Sequence, residues 1–196
     1  MKDIEKVIDF MVEIEKLKDI SRKTMPVGLD RFENSAEHSW HVCISALMLK
    51  DYANEKIDID RVIKMLLIHD LGEIDAGDTI VYASNTAEIN AQEEAGIKRI
   101  LSLLPEKADN QAAEYFALWK EFEAGETADS KYARAIDRVP PLLHNLHGNG
   151  LSWKENKVAK EKVFALNGDR ISKGSLALWN TIEKKLNEAV KEEILN

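Results

Sequence analysis

Apolar residues recur at three- and four-residue spacing along almost the whole chain, and no stretch alternates apolar with polar residues long enough to read as a strand. That periodicity predicts an all-α fold: one compact, irregular helical bundle spanning residues 1–196. Ile4, Val7, Ile8, Met11, Val12 and Ile14 mark a first helix, and Pro26 and Gly28 fall in the loop after it. Ser35 is a candidate N-cap for a second helix running to Tyr52. Asp58 or Asp60 caps a third, which runs into His69. Asn85 and Glu88 have capping-box spacing for a fourth helix that ends near Leu104. A fifth runs from Pro105 to about Phe122, and Gly125 interrupts it. Asp129 or Ser130 starts a sixth that carries Asp137, and Pro140-Pro141 must kink or restart it because proline lacks a backbone donor. Two more helices are expected, near Trp153–Leu166 and Ile171–Leu195. These uneven lengths do not suit a simple four-helix bundle.

Within this pattern, His69-Asp70 closes the apolar run Ile63–Ile68 and opens into Leu71-Gly72-Glu73-Ile74-Asp75-Ala76-Gly77-Asp78. A histidine and an aspartate at the buried end of a helix are costly unless something compensates them. A divalent metal ion would, because imidazole nitrogen and carboxylate oxygen are its natural ligands. Adjacent residues on a regular helix diverge by about 100°, so both can reach one ion only at a helix end, and Gly72 permits that end. Upstream lies Glu33-Asn34-Ser35-Ala36-Glu37-His38-Ser39-Trp40-His41, and downstream Arg134-Ala135-Ile136-Asp137-Arg138. Spacing alone does not choose between His38 and His41, which can share a helix face.

The order His38, then His69-Asp70, then Asp137 resembles the HD-domain metal-dependent phosphohydrolases. Ser-Ala-Glu-His-Ser, His-Asp-Leu-Gly-Glu-Ile-Asp-Ala-Gly-Asp and Ala-Ile-Asp-Arg narrow the resemblance to the 5'-deoxynucleotidase branch, over about Leu17 to Leu146. The resemblance implies His38, His69, Asp70 and Asp137 as ligands of one divalent ion, with His41 in a packing or supporting role. Donors without thiolate suit Mn, Co, Fe or Zn. It also implies Glu73 and Asp78 as catalytic carboxylates, Glu73 on the side of the attacking water and Asp78 toward water or a sugar hydroxyl. Arg22 matches the position where an arginine meets the phosphate, a role suited to its planar fork. The family carries a tryptophan shortly after this arginine, near the sugar. Here Met25 is the closest substitute. Trp40 is expected to pack on Cys43 and Ile44. His144 and His147 depart from the pattern and leave one ion or two as open expectations.

Composition bounds the partners. The net charge of 27 − 35 = −8 argues against a surface built for a nucleic-acid polymer, but not against a small phosphate ester. With 32% charged and 44% hydrophobic residues, the chain has the balance of a globular protein with a sizeable core. Cys43 is the only cysteine, so no disulfide forms within the chain. Met1–Lys6 is charged and lacks the apolar stretch of a signal peptide, and no apolar run approaches the roughly 20 residues that span a bilayer. A cytoplasmic location without membrane contact is the default expectation, and a homodimer is open. The expected activity is hydrolysis of a nucleoside 5'-monophosphate, with a 2'-deoxyribonucleotide as the first choice of substrate. Two alternatives remain: an HD-type phosphohydrolase acting on a triphosphate, cyclic nucleotide or guanosine polyphosphate, and a helical binding module with a structural metal. In that module Glu73 and Asp78 would face bulk solvent.

Overall fold

The computed structural model describes residues 2–80, 82 and 86–196, and the described residues form helices with no strand. In chain order these are α1 (Lys2–Ile14), α2 (Ser35–Leu49), α3 (Ile59–Ile68), α4 (Glu73–Ala76), α5 (Thr86–Leu101), α6 (Asp109–Ala124), α7 (Ala128–Asp137), α8 (Val139–His147), α9 (Leu151–Glu155), α10 (Lys160–Gly174) and α11 (Leu176–Lys191).

α7 is the centre of the molecule, packed against α2, α3, α6 and α10. Its small Ala133 and Ala135 let neighbours approach, and they are fully buried beside Tyr132 and Ile136. The crossing with α10 is so close that a Cβ on Gly174 would lie 2.4 Å from the Lys131 carbonyl oxygen. One core lies between α2, α3, α5, α6 and α7, around Val42, Met65, Leu66, Ile97, Ile100, Leu118 and Trp119. The other lies between α8, α10 and α11, around Leu142, Val163, Ile171 and Leu186, with Ala135 of α7 reaching into it.

Several expected boundaries move. Asn34, not Ser35, caps α2: its side chain accepts from the Glu37 backbone N–H while Glu37 accepts from the Asn34 backbone. Asp58 caps α3, and Thr127 caps α7 in a capping box with Ser130. Asn85, half of the box expected before α5, lies outside the described residues. Pro140-Pro141 sits in the first turn of α8, where missing donors cost least. The break expected between Leu166 and Ile171 does not occur. Asn167 is satisfied in place by the Val163 carbonyl and the Tyr82 hydroxyl, and Gly168 packs against the Trp179 ring. α10 therefore continues to Gly174, and Ser175 caps α11 by accepting from the Leu178 N–H. Asn54 clasps that corner: its amide donates to the Ser172 and Lys173 carbonyls, its carbonyl accepts from the Leu176 N–H, and its backbone N–H meets Gly174.

Two apolar stripes face outward. α1 buries none of its residues, and Ile4, Ile8, Met11 and Val12 are all more than half exposed. Trp40, expected in the core, is 65% exposed and shares one face of α2 with Ile44, Leu47 and Met48. Among the described residues no helix is long and apolar enough to cross a membrane.

Candidate functional site

α3 ends at Ile68, and residues 69–74 turn through tight i→i−3 bonds: Leu71 to Ile68, Glu73 to Asp70 and Ile74 to Leu71. This turn lets two adjacent side chains address one point: His69 Nε2 lies 3.0 Å from Asp70 Oδ1. Asp137, the last residue of α7, puts Oδ1 3.5 Å from the same nitrogen and 2.9 Å from His38 Nε2. His38 projects from the first turns of α2, and donor atoms of His38, His69 and Asp137 all lie within 4.8 Å of one another. All three side chains are buried.

The tautomer of His69 follows from its partners. A carbonyl can only accept, so Nδ1 donates to the Leu66 oxygen at 2.8 Å, and in the neutral ring Nε2 carries the lone pair. That buried Nε2 has no hydrogen-bond partner. Burial disfavours a charged His69, but Asp70 and Asp137 outweigh it and push its pKa up to about 9. The cluster thus draws positive charge to one nitrogen, as the donor set of a cation site does. Asp137 is held well below the ordinary carboxylate range, because Arg138, His38 and His69 overcome the burial penalty. Behind His38, Nδ1 faces Glu33 Oε2 at 3.3 Å, a carboxylate placed as those that orient metal-ligating imidazoles are.

Arg22 sits among the acids. Its Nη1 donates to Asp70 Oδ2 at 2.8 Å and lies 3.7 Å from Glu73 Oε1 and 3.6 Å from Asp78 Oδ1. The segment 20–24 runs antiparallel to 33–35, with Arg22 N–H to the Glu33 carbonyl and Glu33 N–H to the Thr24 carbonyl, and this fixes Arg22. Burial opposes its charge, but Asp70, Glu73 and Asp78 raise its pKa further. Glu73 accepts from Ser35 Oγ at 2.6 Å. Burial, then the Asp70 charge, holds Glu73 well above the usual carboxylate range, and burial raises Asp78 against the pull of Arg22. Their side chains are only 8% and 7% exposed, so neither faces bulk solvent.

These groups open into a cavity of about 190 Å³. Lys23 and Thr24 line it, whereas Met25 lies in a neighbouring cavity beside Gly28, Leu29 and His147. On the far wall the structure adds Glu93 of α5, Glu123 of α6 and Arg170 of α10, which no motif announced, beside Arg134 and Arg138, which flank Asp137 in the sequence. Arg138 forks onto Asp137 Oδ2. Burial and the charges of Arg138 and Arg134 lower the Arg170 pKa to about 10. His144 does not join Asp137. It lies with Glu33 and His41, and His147 is exposed.

The HD-domain family model matches residues 14–179. The 5'-deoxynucleotidase HDDC2 of Xenopus laevis is 29% identical over 155 residues, covering 78% of this chain and 74% of that protein. The human protein of the same name is 26% identical, covering 78% and 72%. The crystal structure of a protein described as a predicted metal-dependent phosphohydrolase, from Magnetospirillum magnetotacticum MS-1, covers 100% of this chain and 99% of its own, at 44% identity and a TM-score of 0.90. With the family model spanning most of its length and the His, His-Asp, Asp cluster assembled in its interior, this chain belongs to the HD-domain family.

Proposed function

We propose that this protein hydrolyses nucleoside 5'-monophosphates, with 2'-deoxyribonucleotides preferred, to nucleoside and phosphate, using a divalent ion held by His38, His69, Asp70 and Asp137. The observation that carries this reading is the buried, unpartnered Nε2 of His69 between two carboxylates. Mn, Co, Fe and Zn all suit the donors. Such an ion supplies charge neutralisation for the phosphate and a more acidic water. The naming of the relatives as 5'-deoxynucleotidases supports the substrate class, and the cavity volume suits a small molecule.

The protein's own groups divide the remaining work. Arg22 exchanges part of its contact with Asp70 for the phosphate oxygens, and its fork suits a dianion. Glu73 is fixed through Oε2 by Ser35, and burial raises its affinity for a proton. Positive charge at Asp70 relieves part of that push, so Glu73 exchanges its proton with the attacking water. Asp78, 3.6 Å from the same guanidinium, faces water or the sugar hydroxyl. The exposed apolar faces of α1 and α2 support a homodimer as the working assembly.

One observation favours a second reading. Lys23, Arg134, Arg138 and Arg170 put cations on the cavity wall, where a nucleoside triphosphate would need them. A panel of dAMP, dCMP, dGMP, dTMP, AMP and UMP with Mn or Co, assayed for free phosphate, tests the proposal. Release from the deoxynucleotides, slower from AMP and UMP, supports it. No release from any monophosphate overturns it, and tripolyphosphate from a triphosphate then establishes the second reading. Alanine at His38, His69, Asp70 or Asp137 should lower the bound metal at this site and abolish release.

A further inference from the structure

Behind His38 the chain assembles another set of donors. Ligand atoms of Glu33, His41 and His144 lie within 4.8 Å of one another, contributed by the segment before α2, by α2 and by α8. The two nitrogens of an imidazole point in opposing directions. His38 turns Nε2 to Asp137 and Nδ1 to Glu33, so this cluster lies across the His38 ring from Asp137. His144 Nδ1 pairs with Thr24 Oγ1 at 3.0 Å. In the tautomer whose Nδ1–H donates there, the Nε2 lone pair faces Glu33 Oε1 at 3.8 Å. Two acceptors at that separation make no hydrogen bond, but an ion with bonds of about 2.0–2.2 Å to each would fit between them. Burial lowers the His144 pKa and keeps the ring in its neutral, ligating form. Glu33 is 2% exposed, and its Oε2 is buried without a hydrogen-bond partner, although His38 Nδ1 and Arg22 Nε lie 3.3 and 3.6 Å away. A surface groove beside Pro26, Trp40 and Leu143 reaches Glu33, His41 and His144 and provides a path of entry.

We propose that Glu33, His41 and His144 form a second divalent-cation site, separate from the His38–His69–Asp137 cluster and suited by two imidazoles and one carboxylate to a borderline ion such as Zn²⁺. Two histidine nitrogens and one carboxylate oxygen leave a position open for water. The carboxylate is shared: an ion on Oε1 draws Glu33 away from His38 Nδ1 and Arg22 Nε, so filling this site loosens the groups that orient the first. The existence of the site does not depend on the nucleotidase reading.

The test is metal stoichiometry on full-length protein, stripped with chelator, titrated with ZnCl₂ and read by calorimetry and elemental analysis. The unmodified chain should bind two Zn²⁺. His41→Ala and His144→Ala should each bind one, and His69→Ala should keep the Glu33–His41–His144 ion while losing the other. An anomalous difference peak at the zinc edge, between Glu33, His41 and His144, would place the ion directly. If His144→Ala fails to fold by circular dichroism, the half-buried His41→Ala decides the matter. One ion per chain in the unmodified protein, unchanged in His41→Ala, overturns the site. So does a crystal grown with excess Zn²⁺ that shows no peak there, and Thr24, His144 and Glu33 are then a polar relay behind His38. An unmodified chain that binds only the Glu33–His41–His144 ion would overturn the proposed metal centre and leave this site standing.

Discussion

Arg22 occupies two roles at one position. It is the counter-ion of Asp70, Glu73 and Asp78, and it is the guanidinium nearest the place proposed for the phosphate. Arg22→Ala should weaken nucleotide binding by about 1.5–3 kcal/mol, roughly 10- to 150-fold, because a charged hydrogen bond is lost. Calorimetry with dAMP checks this, and an unchanged affinity would remove Arg22 from the phosphate site. Glu73→Gln keeps the shape and the Ser35 contact but cannot exchange a proton. It should retain metal and lose turnover, and a pre-steady-state phosphate assay with elemental analysis separates the two effects. Glu93 shows how the far wall responds to pH. Burial, then Glu123 and Asp70, raises its pKa to about 7. A carboxyl that is harder to ionise folded than unfolded favours the folded state at low pH. Its contribution is whole below about pH 4.5 and is lost as pH rises through about 7. In chelator-treated protein, Glu93→Gln should therefore flatten the fall in melting temperature across that window. An identical profile in the two proteins would contradict the shift. Of these groups Arg22 and Glu73 were legible in the sequence because motifs carried them. Glu93, Glu123 and Arg170 were not, because they reach the cavity from helices whose sequences carry no motif of their own.

The helices themselves were legible where periodicity and an end signal coincided. Asp58 before α3 and Gly125 after α6 are such cases, the latter at a left-handed φ of 61° that a glycine adopts freely. Legibility failed where two residues offered the same chemistry. Asn34 and Ser35 are both good caps, and the spacing to Glu37 in the folded chain decided between them. It failed again at Asn167-Gly168-Asp169, a breaker-rich string that tertiary contacts with Tyr82 and Trp179 hold helical. α4 and α5 meet through glycines: a Cβ on Gly72 would lie 2.5 Å from the Glu93 carbonyl oxygen, and one on Gly96 would lie 2.6 Å from the Gly72 oxygen. Both obstacles are backbone, which cannot swing aside. Gly96→Ala should cost about 1–3 kcal/mol and push α5, with the Glu93 wall, away from Glu73. A lowered denaturation midpoint together with reduced nucleotide affinity is the expected outcome. An unchanged midpoint would show that the two helices can separate freely.

On the scale of the whole molecule, the periodicity of α1 correctly predicted a helix, but not which way it faces. Its stripe and the Trp40–Met48 face of α2 are left outside both cores. If these faces join two copies, Ile8→Glu with Met11→Glu, or Ile44→Glu with Met48→Glu, should convert a dimer to a monomer in light scattering. A monomer already present in the unmodified protein would overturn that assembly. The Asn54 clasp bears on how the bundle comes together. The bonds it makes to Ser172 and Leu176 close loops of 118 and 122 residues. Loops of that length are slow to find. Until the end of α2 has docked, the corner between α10 and α11 has no partner for its exposed carbonyls. The C-terminal pair should therefore acquire protection from hydrogen exchange late in refolding, after α2 and α3. In this protein the last turn of the chain to settle waits on a residue made early.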